Sequence, residues 1–526
     1  MPDPTIDLVE CFGRAMDAYR AGDLPEAERL CREIVLAQPD HFESTHVLAV
    51  AQAGLRRYDQ ALASYDRALR LRPNDPDVLN NRAGLLVAMG RLEEALQCYD
   101  RAIGARPDDA QAFSNRGAVL ERLERFDAAL ANYDRAVALR PDFAEALYNR
   151  GNVLKELKRT DAALASYDRA IALCPGHADA HNNRGQVLKD LMRYDEALAS
   201  YDAALAVQPL HVRAHGNAAA LRLLTGDLSR GWQHYEWRWE RDVLVAAKRN
   251  FPQPQWRGDT AIAGKTILVY AEQGLGDTIQ FCRYVPMLTN AGARVVLEVQ
   301  PPLHELMAAS LEGVQIVDKG SSLPTFDLHC PLLSLPLAFG TRLETIPAAE
   351  AYLRAPAERL AAWQARLGAA QGPRVGLVWS GNARHERDGE RSIALQALLP
   401  LMDVGAAFVS LQKEIRAEDR AILQARGDIF HFGDELKDFS DTAALVAQLD
   451  LVISVDTSVA HLAAALGKPT WILLTYIPDW RWLLARDDSP WYPTARLFRQ
   501  DATKAWDGVI ARVGDALADF AGSGGG

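Results

Sequence analysis

The chain has 526 residues, of which 24% are charged, and its formal net charge is −11. This length exceeds that of one ordinary domain, and the acidic balance argues against a general nucleic-acid binder, which would normally present a basic field. The cysteines form no CxxC pair, the N-terminus lacks a basic n-region, and no apolar run reaches about 18 residues, so the sequence predicts a cytoplasmic protein without a structural metal site, secretion signal or membrane span.

A repeat of 34 residues occupies the first half of the chain. It spaces six prolines, Pro39, Pro73, Pro107, Pro141, Pro175 and Pro209, and five tyrosines, Tyr65, Tyr99, Tyr133, Tyr167 and Tyr201. An alanine lies four positions before each tyrosine, where two helices must approach closely. The pattern is typical of the tetratricopeptide repeat, a helix-turn-helix unit that stacks into a superhelix and exposes a concave surface suited to holding another protein.

Residues 8–211 predict six repeats, and an incomplete seventh unit follows from Val212. Its second helix carries three tryptophans and a tyrosine between Gly231 and Trp239. We interpret this segment as a capping helix that docks the array onto the next domain, in preference to a ligand cage. The prolines of Phe251–Trp256 then predict a stiff linker.

Five asparagines recur at the same step on the first helices of successive repeats: Asn81, Asn115, Asn149, Asn183 and Asn217. An amide offers both a donor and an acceptor, so such a ladder could pair with the main chain of an extended peptide of any sequence. The alternative is that each asparagine ties helices together within the array.

Strands and helices alternate after the linker, which predicts parallel sheets. The predicted strands include Thr266–Tyr270, Val295–Val299, Arg374–Trp379, Phe408–Leu411, Leu451–Val455 and Thr470–Leu474. The predicted organisation is an all-α superhelix with its capping helix at 1–240, a linker at 241–262, doubly wound lobes at 263–370 and 371–518, and a flexible tail at 519–526.

The first candidate site is the loop Gly274-Leu-Gly276-Asp277, which follows a strand and therefore lies at the carboxyl edge of its sheet. As a dinucleotide-binding loop it is imperfect, because Ile279 replaces the third glycine, although Glu298 lies at a ribose-binding distance along the chain. Asp277 is either the cap of a helix that begins at Thr278 or a carboxylate able to accept a proton from an incoming hydroxyl.

The second candidate site is Asp456-Thr457-Ser458-Val-Ala-His461, where a strand ends and a helix begins at once. Unpaired amides and hydroxyls at such a helix start form a cradle for phosphate, which the helix dipole also favours. His461 could donate to a phosphate or sugar oxygen, or it could be a packed helix histidine.

Further candidates follow two other strands of the second lobe. Ser380 and Asn382 come after one strand, with Arg384, Arg387 and Arg391 nearby, and Lys413 comes after the next. A cation among them could stabilise a departing diphosphate without a metal ion. The aromatic residues of Asp479–Trp482 and Trp491–Tyr492 offer faces for a base or a sugar, and core packing is the preferred interpretation of each tryptophan.

Taken together, the two motifs resemble the heptosyltransferase-type glycosyltransferases of the GT-B fold, family 9. The resemblance implies that Asp277 is the catalytic base, that Gly274 and Gly276 shape the donor-binding loop, and that Asp456, Thr457 and His461 bind the donor diphosphate, with Ser458 in place of the family's glycine. It also implies two Rossmann-like lobes and a nucleotide-sugar donor, with no cofactor and no metal.

The repeats are similar to those of O-linked protein glycosyltransferases, whose superhelix carries an asparagine ladder. The combination with this catalytic half resembles bacterial protein glycosyltransferases, including those that modify flagellin. The resemblance implies inverting transfer to Ser or Thr hydroxyls of a protein held by the array. Two alternatives stay open: a binding scaffold with an inactive transferase half, and an enzyme that glycosylates a lipid or glycan. No oligomeric state is predicted.

Overall fold

The computed structural model describes residues 8–241, 248–368, 372–383 and 388–522. It divides into two compact units, Met1–Ala214 and His215–Gly526, and each unit has its own core. Within the described ranges, none of the helices combines the length and apolarity that crossing a bilayer requires.

The first unit consists of paired helices that repeat at the predicted step. They are α1 (Leu8–Arg20), α2 (Leu24–Ala37), α3 (Phe42–Gly54), α4 (Tyr58–Leu71), α5 (Pro76–Ala88), α6 (Leu92–Ala105), α7 (Ala110–Arg122), α8 (Phe126–Leu139), α9 (Ala144–Glu156), α10 (Thr160–Leu173), α11 (Ala178–Asp190) and α12 (Tyr194–Val207). Local chemistry sets their ends: Asp75 and Asp109 cap α5 and α7 by accepting backbone amides of the first turn. The all-helical tetratricopeptide array is confirmed.

The repeated residues explain how the array holds together. Each predicted tyrosine is buried, and a ladder of ion pairs joins an aspartate of one repeat to an arginine of the next. The N–O distances are 2.9 Å for Arg82–Asp66, 2.8 Å for Arg116–Asp100, 2.6 Å for Arg150–Asp134 and 2.6 Å for Arg184–Asp168. Because these pairs are partly exposed, packing of the tyrosines contributes more to stability than the ion pairs do.

We expect Gly151→Ala to destabilise the array, whereas Gly84→Ala leaves it unchanged or slightly more stable. A Cβ at Gly151 would lie 2.6 Å from Cε1 of the buried Tyr167 ring, but one at Gly84 meets no described atom within 4 Å. Overpacking of this kind costs about 1–3 kcal/mol, while an exposed helical Gly→Ala change gains about 0.5–1 kcal/mol. Urea unfolding followed by circular dichroism measures both, and equal effects at the two positions would contradict the close approach.

The second unit begins inside α13 (Val212–Leu224) and contains α14 (Leu228–Tyr235) and the 3-10 helix Glu236–Glu240. Its ten strands among the described residues are β1 (Thr266–Tyr270), β2 (Arg294–Val299), β3 (Gln315–Asp318), β4 (Leu328–Pro331), β5 (Arg374–Val378), β6 (Ala407–Ser410), β7 (Ile429–His431), β8 (Leu451–Val455), β9 (Thr470–Leu474) and β10 (Ala495–Arg499). They form two parallel sheets, ordered β3-β2-β1-β4 and β10-β9-β8-β5-β6-β7. The predicted pair of α/β lobes is confirmed.

The remaining α-helices of the described residues cover these sheets. They are α15 (Leu275–Phe281), α16 (Val285–Asn290), α17 (His304–Ser310), α18 (Leu335–Ala338), α19 (Ala357–Leu367), α20 (Asp388–Arg391), α21 (Leu395–Leu398), α22 (Ala417–Ala425), α23 (Phe439–Ala447), α24 (Ser458–Ala465) and α25 (Asp507–Gly522). The strands β1, β8 and β9 are buried along nearly their whole length because helices cover the sheets, which explains their continuous apolar sequences.

The structure places the segment boundaries differently from the sequence at three points. The capping helix α14 belongs to the second unit, which begins at His215 and not after residue 240. The helix α19 lies before the predicted lobe boundary, yet its Trp363 packs in the core of the second sheet. Helix α25 continues through Gly522, so residues 519–522 of the predicted tail are helical. Residues 242–247 of the predicted linker and residues 523–526 of the tail lie outside the described residues.

An aromatic cluster around Trp232 joins the capping helix to both lobes. Trp232 is 1% exposed, and its ring meets Phe281 of the first lobe edge-on at a centroid distance of 6.2 Å. On the second lobe it meets Trp480 at 5.3 Å and Trp491 at 6.4 Å. The prediction of a packed seam in place of a ligand cage therefore fits the burial of this residue.

Candidate active site

The first predicted motif lies at the carboxyl end of β1. Gly274 precedes α15, which begins at Leu275, so Asp277 lies within the first turn and the predicted helix start at Thr278 is three residues late. The Asp277 Oδ2 accepts the Gly274 amide at 2.9 Å. The capping role is therefore present, and it fixes the direction of the carboxylate.

The other oxygen of Asp277 pairs with an arginine from the opposite lobe. Arg481 Nη2 donates to Asp277 Oδ1, its Nη1 donates to Asp479 Oδ1 at 2.7 Å, and its Nε donates to Gln280 Oε1 at 2.7 Å. The Arg481 guanidinium also lies 4.3 Å from the centre of the Trp480 ring. The side chain of Asp277 is 17% exposed and that of Arg481 is 11% exposed, so little water competes for this pair.

The second predicted motif directly faces the first. Thr457 follows β8 as the N-cap of α24, and a Cβ added to Gly276 would lie 3.1 Å from His461 Cδ2 and 3.4 Å from Ser458 Cα. Only glycine at 276 allows this approach of the two lobes without a shift. The sequence placed both motifs at sheet edges, and the structure brings those edges together.

His461 is a packed histidine that also belongs to the site. Its Nδ1 hydrogen-bonds the Tyr492 hydroxyl at 2.8 Å, its Nε2 lies 3.9 Å from Asp456 Oδ1, and its ring stacks on Trp482. Burial, and then the nearby charges of Arg481 and Arg283, hold the pKa of the His461 imidazole well below its ordinary value. The ring is therefore neutral at physiological pH.

A cavity of about 90 Å³ opens beside the start of α24. Its lining residues are Glu390, Arg391, Asp456, Leu473, Leu474, Thr475, Pro478 and Asp479. Arg391 Nη1 donates to the Asp456 carbonyl oxygen at 3.0 Å, which places a cation next to the helix start. The cavity is small compared with the roughly 300–1,000 Å³ of whole ligand sites, so it fits only part of a nucleotide sugar.

Asp456 has a perturbed carboxyl group. Burial, and then the neighbouring Asp479 carboxylate, raise the pKa of Asp456 from 3.8 to about 6. A raised pKa in the folded state means that the folded protein binds this proton more tightly than the unfolded chain does. Ionisation of Asp456 therefore lowers the free energy of unfolding as the pH rises from about 4 to 6. Above pH 6 this loss of stability is complete.

We expect Asp456→Asn to increase the free energy of unfolding of the second unit at pH 7.5 by about 1–3 kcal/mol, because it removes a charge that is costly to bury. The gain should become small at pH 3, where the wild-type group is largely protonated in both states. Thermal unfolding of both proteins at the two pH values measures it, and Asp434→Asn, at an exposed position, is the control. A gain that is equal at both pH values would contradict the raised pKa.

The other predicted donor-site residues are dispersed. Ser380 is buried and accepts a hydrogen bond from Gln412 Nε2 at 2.8 Å, so it ties β5 to β6. Lys413 is exposed and donates to the Lys437 carbonyl oxygen at 3.0 Å, and Asn382 is exposed after β5. Of the predicted cations, Arg391 lines the cavity, whereas Arg384 and Arg387 lie outside the described residues.

The dinucleotide interpretation of the first loop gains no support from Glu298. Its buried carboxylate pairs with Arg249 at 2.6 Å and accepts the Gly320 amide at 3.2 Å. These partners explain the glutamate as a structural tie between the linker and the first sheet. Within the described part of the chain, no three His, Cys, Asp or Glu side chains are grouped to hold a metal ion.

The asparagine ladder divides into two kinds of position. Asn183 is buried and donates to Tyr148 OH at 3.2 Å and Asn152 Oδ1 at 2.9 Å, so it ties successive repeats together. Asn81 is exposed and bonds the His46 ring at 3.0 Å. Asn115, Asn149 and Asn217 are half-buried on the equivalent turns of α7, α9 and α13. Asn183 therefore has the role of a tie between repeats. For the more accessible asparagines, binding of a peptide stays a prediction.

Sequence reasoning missed Arg481, Asp479 and Gln280 as partners of the predicted base. Asp479-Trp480-Arg481-Trp482 was interpreted only by its aromatic residues. The available signal was an arginine between two tryptophans, preceded by an acid, a few residues after a strand of the second lobe. The sequence did not indicate that Arg481 contacts Asp277, because the two residues are 204 positions apart in the chain.

Comparisons with known proteins agree with this division of the chain. Models of the tetratricopeptide repeat match residues 12–76, 52–115, 119–178 and 178–210, and the model of glycosyltransferase family 9 (heptosyltransferase) matches residues 437–499. The latter match includes the cavity residues Asp456 and Asp479, His461 and Arg481. Asp277 and the first lobe lie outside it.

Among curated proteins, the chain is 27% identical over 329 residues to Protein FlbA of Caulobacter vibrioides. That match covers 58% of this chain and 55% of FlbA, so the chain spans about half the length of this relative. Among solved structures, it is similar to YrrB, described as a tetratricopeptide-repeat protein with an unusual peptide-binding site, at 27% identity and a TM-score of 0.32, covering 35% of this chain and 95% of YrrB. The chain is also similar to Pseudomonas aeruginosa PilF, at 18% identity and a TM-score of 0.37, covering 40% of this chain and 95% of PilF.

The repeat matches and the helical first unit concern the same residues, and the family 9 match lies in the second lobe around the cavity. The chain therefore carries tetratricopeptide repeats and, over residues 437–499, a segment that is similar to the glycosyltransferases of family 9.

Proposed function

We propose that this protein transfers a sugar from a nucleotide-sugar donor to Ser or Thr hydroxyls of a protein acceptor, with inversion at the anomeric carbon. The observation that carries the proposal is the close approach of two loops: Gly276, which directly precedes Asp277 in one lobe, lies against Ser458 and His461 at the start of α24 in the other. A proton acceptor and a phosphate cradle thus meet across one cleft.

The donor side rests on the start of α24. His461 N makes the first helical bond, to the Thr457 carbonyl oxygen, so the amides of Ser458, Val459 and Ala460 precede the hydrogen-bonded ladder. Such amides and the positive end of the helix dipole favour a bound phosphate. Arg391 adds a permanent positive charge where the departing diphosphate gains negative charge. We therefore propose a reaction that needs neither a metal ion nor a cofactor.

The acceptor side rests on Asp277. Each of its oxygens accepts one hydrogen bond from the protein and keeps a lone pair for the proton of an acceptor hydroxyl. As that proton moves to the carboxylate, the hydroxyl oxygen attacks the anomeric carbon, and the bond to the nucleoside diphosphate breaks on the opposite face. The sugar is transferred with inverted configuration, and the nucleoside diphosphate leaves.

The repeat array supports a protein acceptor. Asn81, Asn115 and Asn149 recur along one helix face at accessible positions, and a tethered binding surface raises the effective concentration of its ligand. Flagellin is the acceptor that we propose first, because the combination of domains resembles flagellin-modifying transferases. We place the reaction in the cytoplasm.

The test is to co-express the chain with flagellin in a host that makes donor sugars, and to measure the intact acceptor mass. The proposal predicts a sugar-sized increment with the wild type and with Asp434→Asn, and none with Asp277→Asn. A bound but unmodified acceptor would favour the scaffold alternative. Modification of a lipid or glycan in place of the protein would favour the second alternative, and absence of binding would exclude flagellin as the partner.

A further inference from the structure

The contact between Arg481 and Asp277 joins two lobes at the reacting carboxylate. Arg481 donates to three acceptors, of which Asp277 and Gln280 belong to α15 of the first lobe and Asp479 to its own loop. The Gly274 amide holds the other Asp277 oxygen. The carboxylate is thus clamped on both oxygens, from one side by its own helix and from the other by the donor lobe.

Arg481 is a buried part of the site and not a surface cation. It is buried, it packs against the Trp480 ring, and all three of its hydrogen-bonding groups on the guanidinium have partners. Asp479, which shares it with Asp277, also lines the cavity next to Asp456. One side chain therefore contacts the base and a wall of the cavity at the same time.

We propose that Arg481 is the positioning residue for Asp277: it keeps the carboxylate aimed into the cleft only while the two lobes are together. The inference rests on the proposed function. A separated or rotated second lobe would remove Arg481, leaving Asp277 oriented by the Gly274 amide alone. Arg481 thereby couples closure of the donor lobe to the competence of the base.

Other ionisable groups surround the pair and enter the interpretation of any pH dependence. They are Tyr235 from the capping helix, Asp479 beside Arg481, Asp456 across the cavity, and His461 next to Gly276. Asp456 titrates closest to the expected working range, with a pKa of about 6. The kinetics are therefore compared at a single pH of about 8, where the ionisation of Asp456 no longer changes.

The test uses the full chain and three variants, Arg481→Lys, Arg481→Gln and Arg499→Gln. Arg499 is the matched control, because it donates to the carbonyl oxygens of Trp482 and Leu483 and so supports the same loop without touching Asp277. The kcat and the donor KM are measured for sugar transfer. Thermal unfolding of Asp277→Asn, Arg481→Gln and the double variant is measured in parallel.

We expect Arg481→Gln to lower kcat about 100-fold while changing the donor KM less than about threefold, as is typical of a misplaced catalytic group. Arg481→Lys should restore part of the lost kcat, and Arg499→Gln should leave both kcat and the donor KM close to the wild-type values.

A rise in donor KM at unchanged kcat would overturn the proposal and make Arg481 a donor-binding residue. An unchanged kcat in Arg481→Gln would reduce Arg481 to a structural role and also overturn the proposal. If the wild type transfers no sugar, the proposed function fails. The thermal unfolding of the two single variants and the double variant then tests the contact separately. Non-additive shifts in melting temperature support the contact between Arg481 and Asp277, and additive shifts overturn it.

Discussion

Asp277→Asn should reduce sugar transfer by about 100- to 10,000-fold in kcat, the range that removal of a general base produces. The amide keeps the size of the side chain and its hydrogen bond with the Gly274 amide, but it cannot accept the hydroxyl proton. Donor affinity should change little, because the phosphate cradle belongs to α24 of the other lobe. Steady-state kinetics with a peptide acceptor and calorimetric titration of the donor measure the two quantities.

Two comparisons make this result specific. Asp434→Asn removes a carboxylate from an exposed position of the same unit and should retain full activity. Raising the pH should not rescue Asp277→Asn, since no ionisable group remains at that position. Near-normal turnover by Asp277→Asn would show that another group takes the proton, and the proposed mechanism would then be wrong.

Trp232→Ala should destabilise the second unit by about 3–5 kcal/mol, the usual loss for truncating a large buried aromatic residue. The ring of Trp232 packs edge-on against Phe281 of one lobe and against Trp480 and Trp491 of the other, so its removal leaves a cavity where the capping helix and both lobes meet. Trp480 precedes Arg481, so we also expect reduced transfer in the folded fraction. Guanidinium unfolding monitored by circular dichroism measures the stability.

Two variants serve as controls for this loss. Trp232→Phe keeps an aromatic ring and should lose less than about 1.5 kcal/mol, since the indole Nε1–H has no hydrogen-bond partner among the described residues. Trp237→Ala lies in the same segment, where the half-buried ring stacks on His215 at 3.9 Å, and it should cost less than Trp232→Ala. Equal losses at positions 232 and 237 would contradict the central place of Trp232.

Within the cleft, sequence and structure agree on the two motifs and differ on their neighbours. Asp277 and the segment from Asp456 to His461 each follow a strand directly, so their place at a sheet edge was readable from local pattern. Ser380 and Lys413 satisfied the same rule, yet their side chains bond Gln412 and a backbone carbonyl. A position after a strand places a residue near the edge, and only packing decides where its side chain is directed.

What the sequence determined by itself was set by short-range interactions. The 34-residue step fixed the repeats, because each helix pair contacts only its neighbours and the same contacts recur along the chain. The strand-loop-helix motifs were likewise local. Only the tertiary structure decided that the capping helix belongs to the second unit and that Arg481 meets Asp277 across 204 residues. Those contacts depend on how two lobes close on each other, and no periodicity or spacing within one segment encodes that closure.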